Sequence, residues 1–162
     1  MSEVACVHVV DDEPALRDSL EFLLAGAGYQ VRTYPSAETF SVTAGSRAAG
    51  CVLTDLRLSG SSGLDLIRSM SAQGSDLPVI VMTGHGDLAS ASEALRDGAA
   101  DFLEKPFTEE RLLGSVADAL AGPGVRAAKA RARLTALEVQ APGLCADPFS
   151  RAEESARVGP TA

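Results

Sequence analysis

Val4-Ala5-Cys6-Val7-His8-Val9-Val10, followed by Asp11-Asp12-Glu13-Pro14, decides the fold of this chain. The seven-residue run is nearly continuous in apolar side chains, the pattern of a strand covered on both faces. Pro14 then opens a helical pattern with Leu16, Leu20, Leu23, Leu24 and Ala27 on one face, and Gly28 is its stop. The same unit recurs down the chain. Residues 29–34 read as a second strand, and Ser36 caps a helix containing Phe40. Residues 51–54 form a third strand, followed by a Ser/Gly-rich loop and a helix with Leu64, Ile67 and Met70. Residues 78–82 form a fourth strand, and Asp87 caps a helix carrying Leu88, Ala91, Ala94 and Leu95. Residues 101–104 form a fifth strand, and a last helix begins near Thr108 with Glu109 and Glu110 in its first turn. Five strands alternating with five helices predict an α/β fold with a doubly wound, five-stranded parallel sheet.

Composition agrees with that reading and narrows the function. At 162 residues the chain fits one domain plus a remnant, and no apolar run approaches a membrane span. The start, Met1-Ser2-Glu3, lacks the basic region of a secretory signal. Cys6, Cys51 and Cys145 are odd in number and widely spaced, which suits reduced thiols in the cytoplasm rather than a disulfide framework or a metal site. Residues 1–121 hold eighteen Asp/Glu against eight Lys/Arg, whereas residues 122–162 hold four against six. The acidic part is a poor electrostatic partner for nucleic acid.

In a doubly wound fold the site lies outside the carboxyl ends of the strands. Asp11, Asp12 and Glu13 follow the first strand, Asp55 the third, Thr83 and Gly84 the fourth, Lys105 and Pro106 the fifth. A lone Asp at a strand end is usually a cap or a solvated turn, and a lone Lys-Pro carries no information. Four successive junctions that each supply a group of one chemistry are different. Carboxylates converging in one crevice repel each other unless a hard divalent cation joins them, and an acidic set without histidine suits Mg²⁺. A carboxylate beside that cation can act as a nucleophile toward phosphorus. The transferred phosphoryl oxygens then need the cation, the Lys105 ammonium, the Thr83 hydroxyl and nearby backbone N–H groups.

The stretches Val9-Val10-Asp11-Asp12-Glu13, Leu53-Thr54-Asp55-Leu56-Arg57, Thr83-Gly84-His85-Gly86 and Phe102-Leu103-Glu104-Lys105-Pro106-Phe107 resemble the receiver domain of bacterial two-component response regulators. The resemblance covers about residues 4–121, and residues 83–87 and 98–107 are most similar to the FixJ-type branch of transcriptional regulators. It implies a flavodoxin-like (βα)5 fold, with Asp55 as phosphoacceptor rather than as the nucleophile of a true enzyme. It further implies Mg²⁺ held by Asp12 and Asp55 with Asp11 assisting and the Arg57 backbone carbonyl adding a ligand. Thr83 and Lys105 would bind the phosphoryl oxygens, Thr83 and Phe102 would be switch residues, and His85 and Arg57 would influence phosphate lifetime. The implied partners are a histidine kinase and, through the face of the fourth helix, fifth strand and fifth helix, a downstream protein or a second copy. Two features depart from the family pattern. The loop reads Leu58-Ser59-Gly60-Ser61-Ser62-Gly63, without the usual proline at Ser59 or the frequent methionine at Ser61, and is expected to be more mobile. Phe102 lacks the hydroxyl that a tyrosine would bring to the switch position. His8, remote from any ligand set, reads as a packed histidine.

Residues 1–121 therefore read as the receiver and residues 122–162 as a linker helix followed by a disordered tail. Gly122-Pro123-Gly124 punctuates the end of the fifth helix, and residues 125–137 are a fair helix by propensity. Pro142, Gly143, Pro148, Gly159 and Pro160 interrupt the remainder of the chain. A truncated FixJ-type DNA-binding regulator is the alternative, but the short tail is expected to be too small to fold as a DNA reader. A phosphatase-type hydrolase also uses an Asp nucleophile with Mg²⁺, yet such enzymes carry the nucleophile after the first strand with a second Asp two residues on. Here Asp11 and Asp12 are adjacent and the isolated Asp55 follows the third strand.

Overall fold

Runs of β-branched and apolar residues form the strands β1 (Cys6–Val10), β2 (Gln30–Tyr34), β3 (Cys51–Asp55), β4 (Val79–Thr83) and β5 (Asp101–Glu104). Between and after them lie α1 (Pro14–Gly26), α2 (Ala37–Thr43), α3 (Gly63–Ala72), α4 (Leu88–Arg96), α5 (Glu109–Leu120) and α6 (Pro123–Gln140). The computed structural model describes residues 6–43, 49–58, 60, 62–84 and 86–140; Ser59, Ser61, His85, Cys145 and the tail from residue 141 lie outside the described residues.

All strand pairs are parallel, in the order β2-β1-β3-β4-β5. This is the doubly wound, flavodoxin-like sheet that the alternation predicts, with strand order reversing between β1 and β3. Period-two side-chain direction divides the core into two layers. Val7, Val9, Cys51, Leu53, Ile80, Met82 and Leu103 face α1 and α5, meeting Leu20, Leu24, Leu112 and Val116. Val10, Val52, Val79 and Val81 face the other way, onto Phe40 of α2, Leu66, Ile67 and Met70 of α3, and Ala91, Ala94 and Leu95 of α4.

Local chemistry sets the helix starts. Ser36 Oγ accepts from Thr39 N at 3.0 Å, Ser62 and Asp65 form a reciprocal capping box, and Thr108 Oγ1 accepts from Arg111 N at 3.0 Å. Asp87 holds the N-cap position of α4, and its carboxylate also accepts from Arg57 Nη2 at 3.0 Å. The second strand begins at Gln30, one residue later than the sequence suggests, because Tyr29 N still donates to Leu24 O at the end of α1. His8 is a packed histidine, as expected: Nε2–H donates to Ala49 O at 3.0 Å, so Nδ1 accepts from the Tyr34 hydroxyl at 2.9 Å. Burial pushes its pKa down, consistent with that neutral tautomer.

The sixth helix is longer than the propensity run suggests. Gly122 turns the chain at φ +128°, and Pro123 opens α6 at its first helical position instead of closing α5. α6 then packs against α4, β5 and α5, with Leu137 buried in the core layer beside α4.

Gly63 sets the approach of α3 to the end of β3. A Cβ there would meet Asp55 O at 2.7 Å and Leu56 Cα at 3.0 Å. Gly63→Ala should therefore displace the backbone carrying Asp55 and destabilise the fold by about 1–3 kcal/mol. Chemical denaturation of the two proteins checks this.

Candidate functional site

Sheet register brings the strand ends to one edge. Val10 pairs with Thr54, Asp55 with Met82, and Thr83 with Glu104. The ladder continues past the strands: Asp11 N donates to Tyr34 O at 3.1 Å, Leu56 N to Met82 O at 3.0 Å, and Lys105 N to Thr83 O at 2.9 Å. Asp11, Asp55, Thr83 and Lys105 are thereby fixed at one edge by main-chain bonds, and the Lys105–Pro106 peptide is cis.

Lys105 Nζ donates to Asp55 Oδ2 at 2.6 Å and lies 3.9 Å from Asp11 Oδ2. Asp55 Oδ1 accepts from Arg57 N at 2.9 Å, and Asp11 Oδ1 accepts from Glu13 N at 2.8 Å. Two polar atoms are buried without a hydrogen-bond partner among the described residues, Asp11 Oδ2 and Thr83 Oγ1. Buried polar atoms are ordinarily paired, so two orphans at one sheet edge mark a place built for something else to bind. Burial, helped by the neighbouring Asp55 charge and opposed by the Glu13 N–H and Lys105, raises the Asp11 pKa to about 6.

The expected acidic trio is only partly assembled. Asp11 is buried and Asp55 half-buried, but Asp12 is exposed, and among the described residues no three acidic or histidine side chains come close enough to hold a cation by themselves. Asp11 and Asp12 both lie beyond the end of β1, Asp11 buried and Asp12 open to solvent. The donor set still fits Mg²⁺, which keeps several waters and takes only one or two carboxylates directly. An unpartnered, desolvated carboxylate oxygen at Asp11 suits that ion, and the Thr83 hydroxyl beside the Lys105 ammonium suits the oxygens of an anion.

Phe102 does not line this edge. It sits in β5, partly buried against the α4 layer with Leu88. Ser59, Ser61 and His85, singled out from the sequence, lie outside the described residues.

Several contacts around the site have no signal in the sequence. Glu104 Oε2 accepts from Gly86 N at 2.7 Å, and Arg57 pairs with Asp87, so the segment after β4 is tied to β5 on one side and to the β3–α3 connection on the other. Asp101, the first residue of β5, is buried and accepts from Arg111 Nη1 at 3.0 Å and Nη2 at 3.1 Å, from Ser115 Oγ at 2.8 Å and from Phe102 N at 2.8 Å. Burial pushes Asp101 up, but Arg111 and Ser115 outweigh it and hold the carboxyl below the usual range.

Similarity to known proteins spans the same region. The family model for the response regulator receiver domain matches residues 7–117. The transcriptional regulatory protein FixJ of Bradyrhizobium diazoefficiens is 44% identical over 114 residues, covering 70% of this chain and 56% of that protein. FixJ of Azorhizobium caulinodans is 47% identical over 116 residues, covering 72% and 55%. The chain thus spans about half the length of the curated relatives it matches. Among solved structures, FixJ-N superposes with a TM-score of 0.71 at 39% identity, covering 76% of this chain and 98% of that one. Full-length FixJ from B. japonicum gives 0.70 at 35% identity, covering 98% and 77%.

The Asp11 carboxyl yields a test of the site's electrostatics. Its folded pKa, about 6, lies above its ordinary 3.8, so its ionised form weakens the metal-free fold above pH 6, and that penalty fades as the pH falls toward 4. Asp11→Asn should raise the metal-free stability at pH 8 by about 2 kcal/mol, with the gain shrinking toward pH 4. Mg²⁺ affinity of the unaltered protein should drop as the pH falls through about 6, when a proton competes for Asp11. Thermal melts across pH with and without Mg²⁺ read both effects.

Proposed function

The chain belongs to the response regulator receiver domain family, and from that premise we propose that Asp55 accepts a phosphoryl group from a histidine kinase. The observation that carries this reading is the Lys105–Asp55 contact at 2.6 Å together with two buried atoms that lack a hydrogen bond among the described residues, Asp11 Oδ2 and Thr83 Oγ1. In transfer, an Asp55 carboxylate oxygen forms the new P–O bond while the P–N bond to the kinase imidazole breaks and the nitrogen keeps the electron pair. Lys105 leaves its bond to Asp55 Oδ2 for a phosphoryl oxygen, and the Thr83 hydroxyl donates to another. Arg57 N–H keeps Asp55 Oδ1 oriented. Asp11, Asp12 and Asp55, with the Arg57 carbonyl, would hold Mg²⁺, which neutralises the crowded negative charge when bound. The chain is on this account a phosphoacceptor that assists its own phosphorylation and dephosphorylation, not an enzyme acting on a separate substrate.

Residues 1–121 form the receiver in this proposal and residues 122–162 an appended segment that begins with α6. The setting is cytoplasmic; among the described residues no helix is long and apolar enough to cross a membrane. Thr83 and Phe102 act as switch residues, passing the phosphorylation state to the α4–β5–α5 face, where a downstream protein or a second copy binds. A second reading, control of transcription through DNA, draws on the names of the relatives, which are transcriptional regulatory proteins. The acidic excess of residues 1–121 argues against this segment touching a duplex.

Intact mass after incubation with acetyl phosphate and Mg²⁺ tests the main reading. The unaltered protein should gain one phosphoryl group, and Asp55→Asn, or excess chelator, should abolish the gain. Lys105→Ala should slow it by about 10²-fold, the scale of losing one preorganised charge-stabilising group. An Asp55→Asn protein that still gains a phosphoryl group overturns the assignment. Fluorescence anisotropy at physiological salt should detect no preference for one DNA sequence over its scramble, with or without phosphorylation; a clear preference would favour the second reading.

A further inference from the structure

The face that family membership makes available for partners is already covered by the chain's own last helix. Ala130, Arg133, Leu134 and Leu137 fall at helical spacing on one side of α6. Ala130 and Leu134 pack on the core layer beside α4, and Leu137 enters it, 1% exposed. Ala132 and Thr135 lie on the exposed side of the helix. Arg133 Nε lies 3.2 Å from Asp101 Oδ1, on the carboxylate that already holds Arg111 and Ser115. Asp101 begins the edge strand β5, so one carboxylate pins both α5 and α6 to that edge.

We propose that α6 is an intramolecular cap on the α4–β5–α5 face, latched by Arg133 on Asp101 and plugged by Leu137, and that it excludes a second copy of this chain from that face. The contact is built to open. Arg133 is the outer of two guanidiniums on Asp101, at 39% side-chain exposure against 28% for Arg111, so Asp101 keeps a bidentate partner when Arg133 leaves. The described apolar attachment of α6 is only Ala130, Leu134 and Leu137. The hinge is a glycine at φ +128°, Gly122, between two helices. A cavity of about 360 Å³ remains between the cap and the face, bordered by Leu88, Phe102, Arg133, Ala136 and Leu137. Phe102 therefore packs on the core layer and borders open space on the side of the cap. Lifting α6 bares Leu88, Leu95 and Phe102 together, an apolar patch that every copy carries, as a two-fold contact between identical chains requires. The cap rests on the packing alone; only its link to Phe102 rests on reading Asp55 as the phosphoacceptor.

The test uses the full 162-residue chain, with no phosphoryl donor in its first arm. In the unaltered protein, amides within 127–137 should exchange slowly, as a docked helix does, and the chain should sediment as a monomer. Leu137→Ser should speed exchange in α6 by about tenfold or more, raise exchange in α4 and β5, and leave β1–β3 as protected as before. The same variant should self-associate at a concentration at least about tenfold lower. Arg133→Ala, which spares the core, should move all three readings in the same direction by a smaller factor. Unprotected α6 amides in the unaltered protein overturn the cap, as do variants that free α6 yet remain monomeric with α4 and β5 unchanged. In a second arm, acetyl phosphate and Mg²⁺ should deprotect α6 in the unaltered protein but not in Asp55→Asn. Absence of phosphoryl mass there counts against the phosphoacceptor reading and leaves the first arm's result for the cap standing. Phosphoryl mass at Asp55 with α6 protection unchanged overturns the link to Phe102.

Discussion

The ion pair between Lys105 and Asp55, at 2.6 Å, is the contact on which the rest of this sheet edge depends. The strand order places β1 beside β3, so Asp11 and Asp55 leave neighbouring strands in the same direction. Two carboxylates cannot share a desolvated edge without a cation to offset them. The ammonium arrives from beyond β5, across β4, and so reaches over Thr83. Asp55 is satisfied by that ammonium and by Arg57 N–H, whereas Asp11 has one buried oxygen without a hydrogen bond among the described residues and a raised pKa. In chemical character the imbalance suits a hard cation at the carboxylates and an anion at Thr83 and Lys105.

The loop after β4 shows how such a site can be felt at a distance. Glu104 holds Gly86 N–H and Arg57 holds Asp87, on either side of the segment that begins at Thr83. In the proposed function, a shift of Thr83 toward a phosphoryl group on Asp55 would pull on both ties at once. That segment leads directly into α4, which with β5 and α5 forms the face covered by α6.

Much of this is readable in the chain's own order of residues. A sheet buried on both faces appears in sequence as nearly unbroken apolar runs, and residues 6–10, 51–55 and 79–83 are such runs. Once the sheet is parallel and doubly wound, chain position alone brings Asp11, Asp55, Thr83 and Lys105 together, because every strand ends at the same edge. The different burial of Asp11 and Asp12 is not readable, since it turns on where β1 ends to the residue. Asp101 escapes notice for a related reason: its partners Arg111, Ser115 and Arg133 come from two different helices at separations that match no local period. Propensity predicts a helix near residues 125–137, but its docking depends on where the edge of the sheet lies, which no helix-local pattern encodes.

The central claim is that Asp11, Asp55, Thr83 and Lys105 act as one binding edge for Mg²⁺ and a phosphoryl group. Backbone amide NMR of the chain titrated with Mg²⁺ and then with beryllium trifluoride, a phosphoryl mimic, tests it most directly. Mg²⁺-dependent shifts centred on Asp11 and Asp55 are expected, with shifts spreading to Thr83, Lys105 and α4 only when the mimic is added. Shifts scattered away from the four residues, or an unchanged response to the mimic in Asp55→Asn, would contradict it.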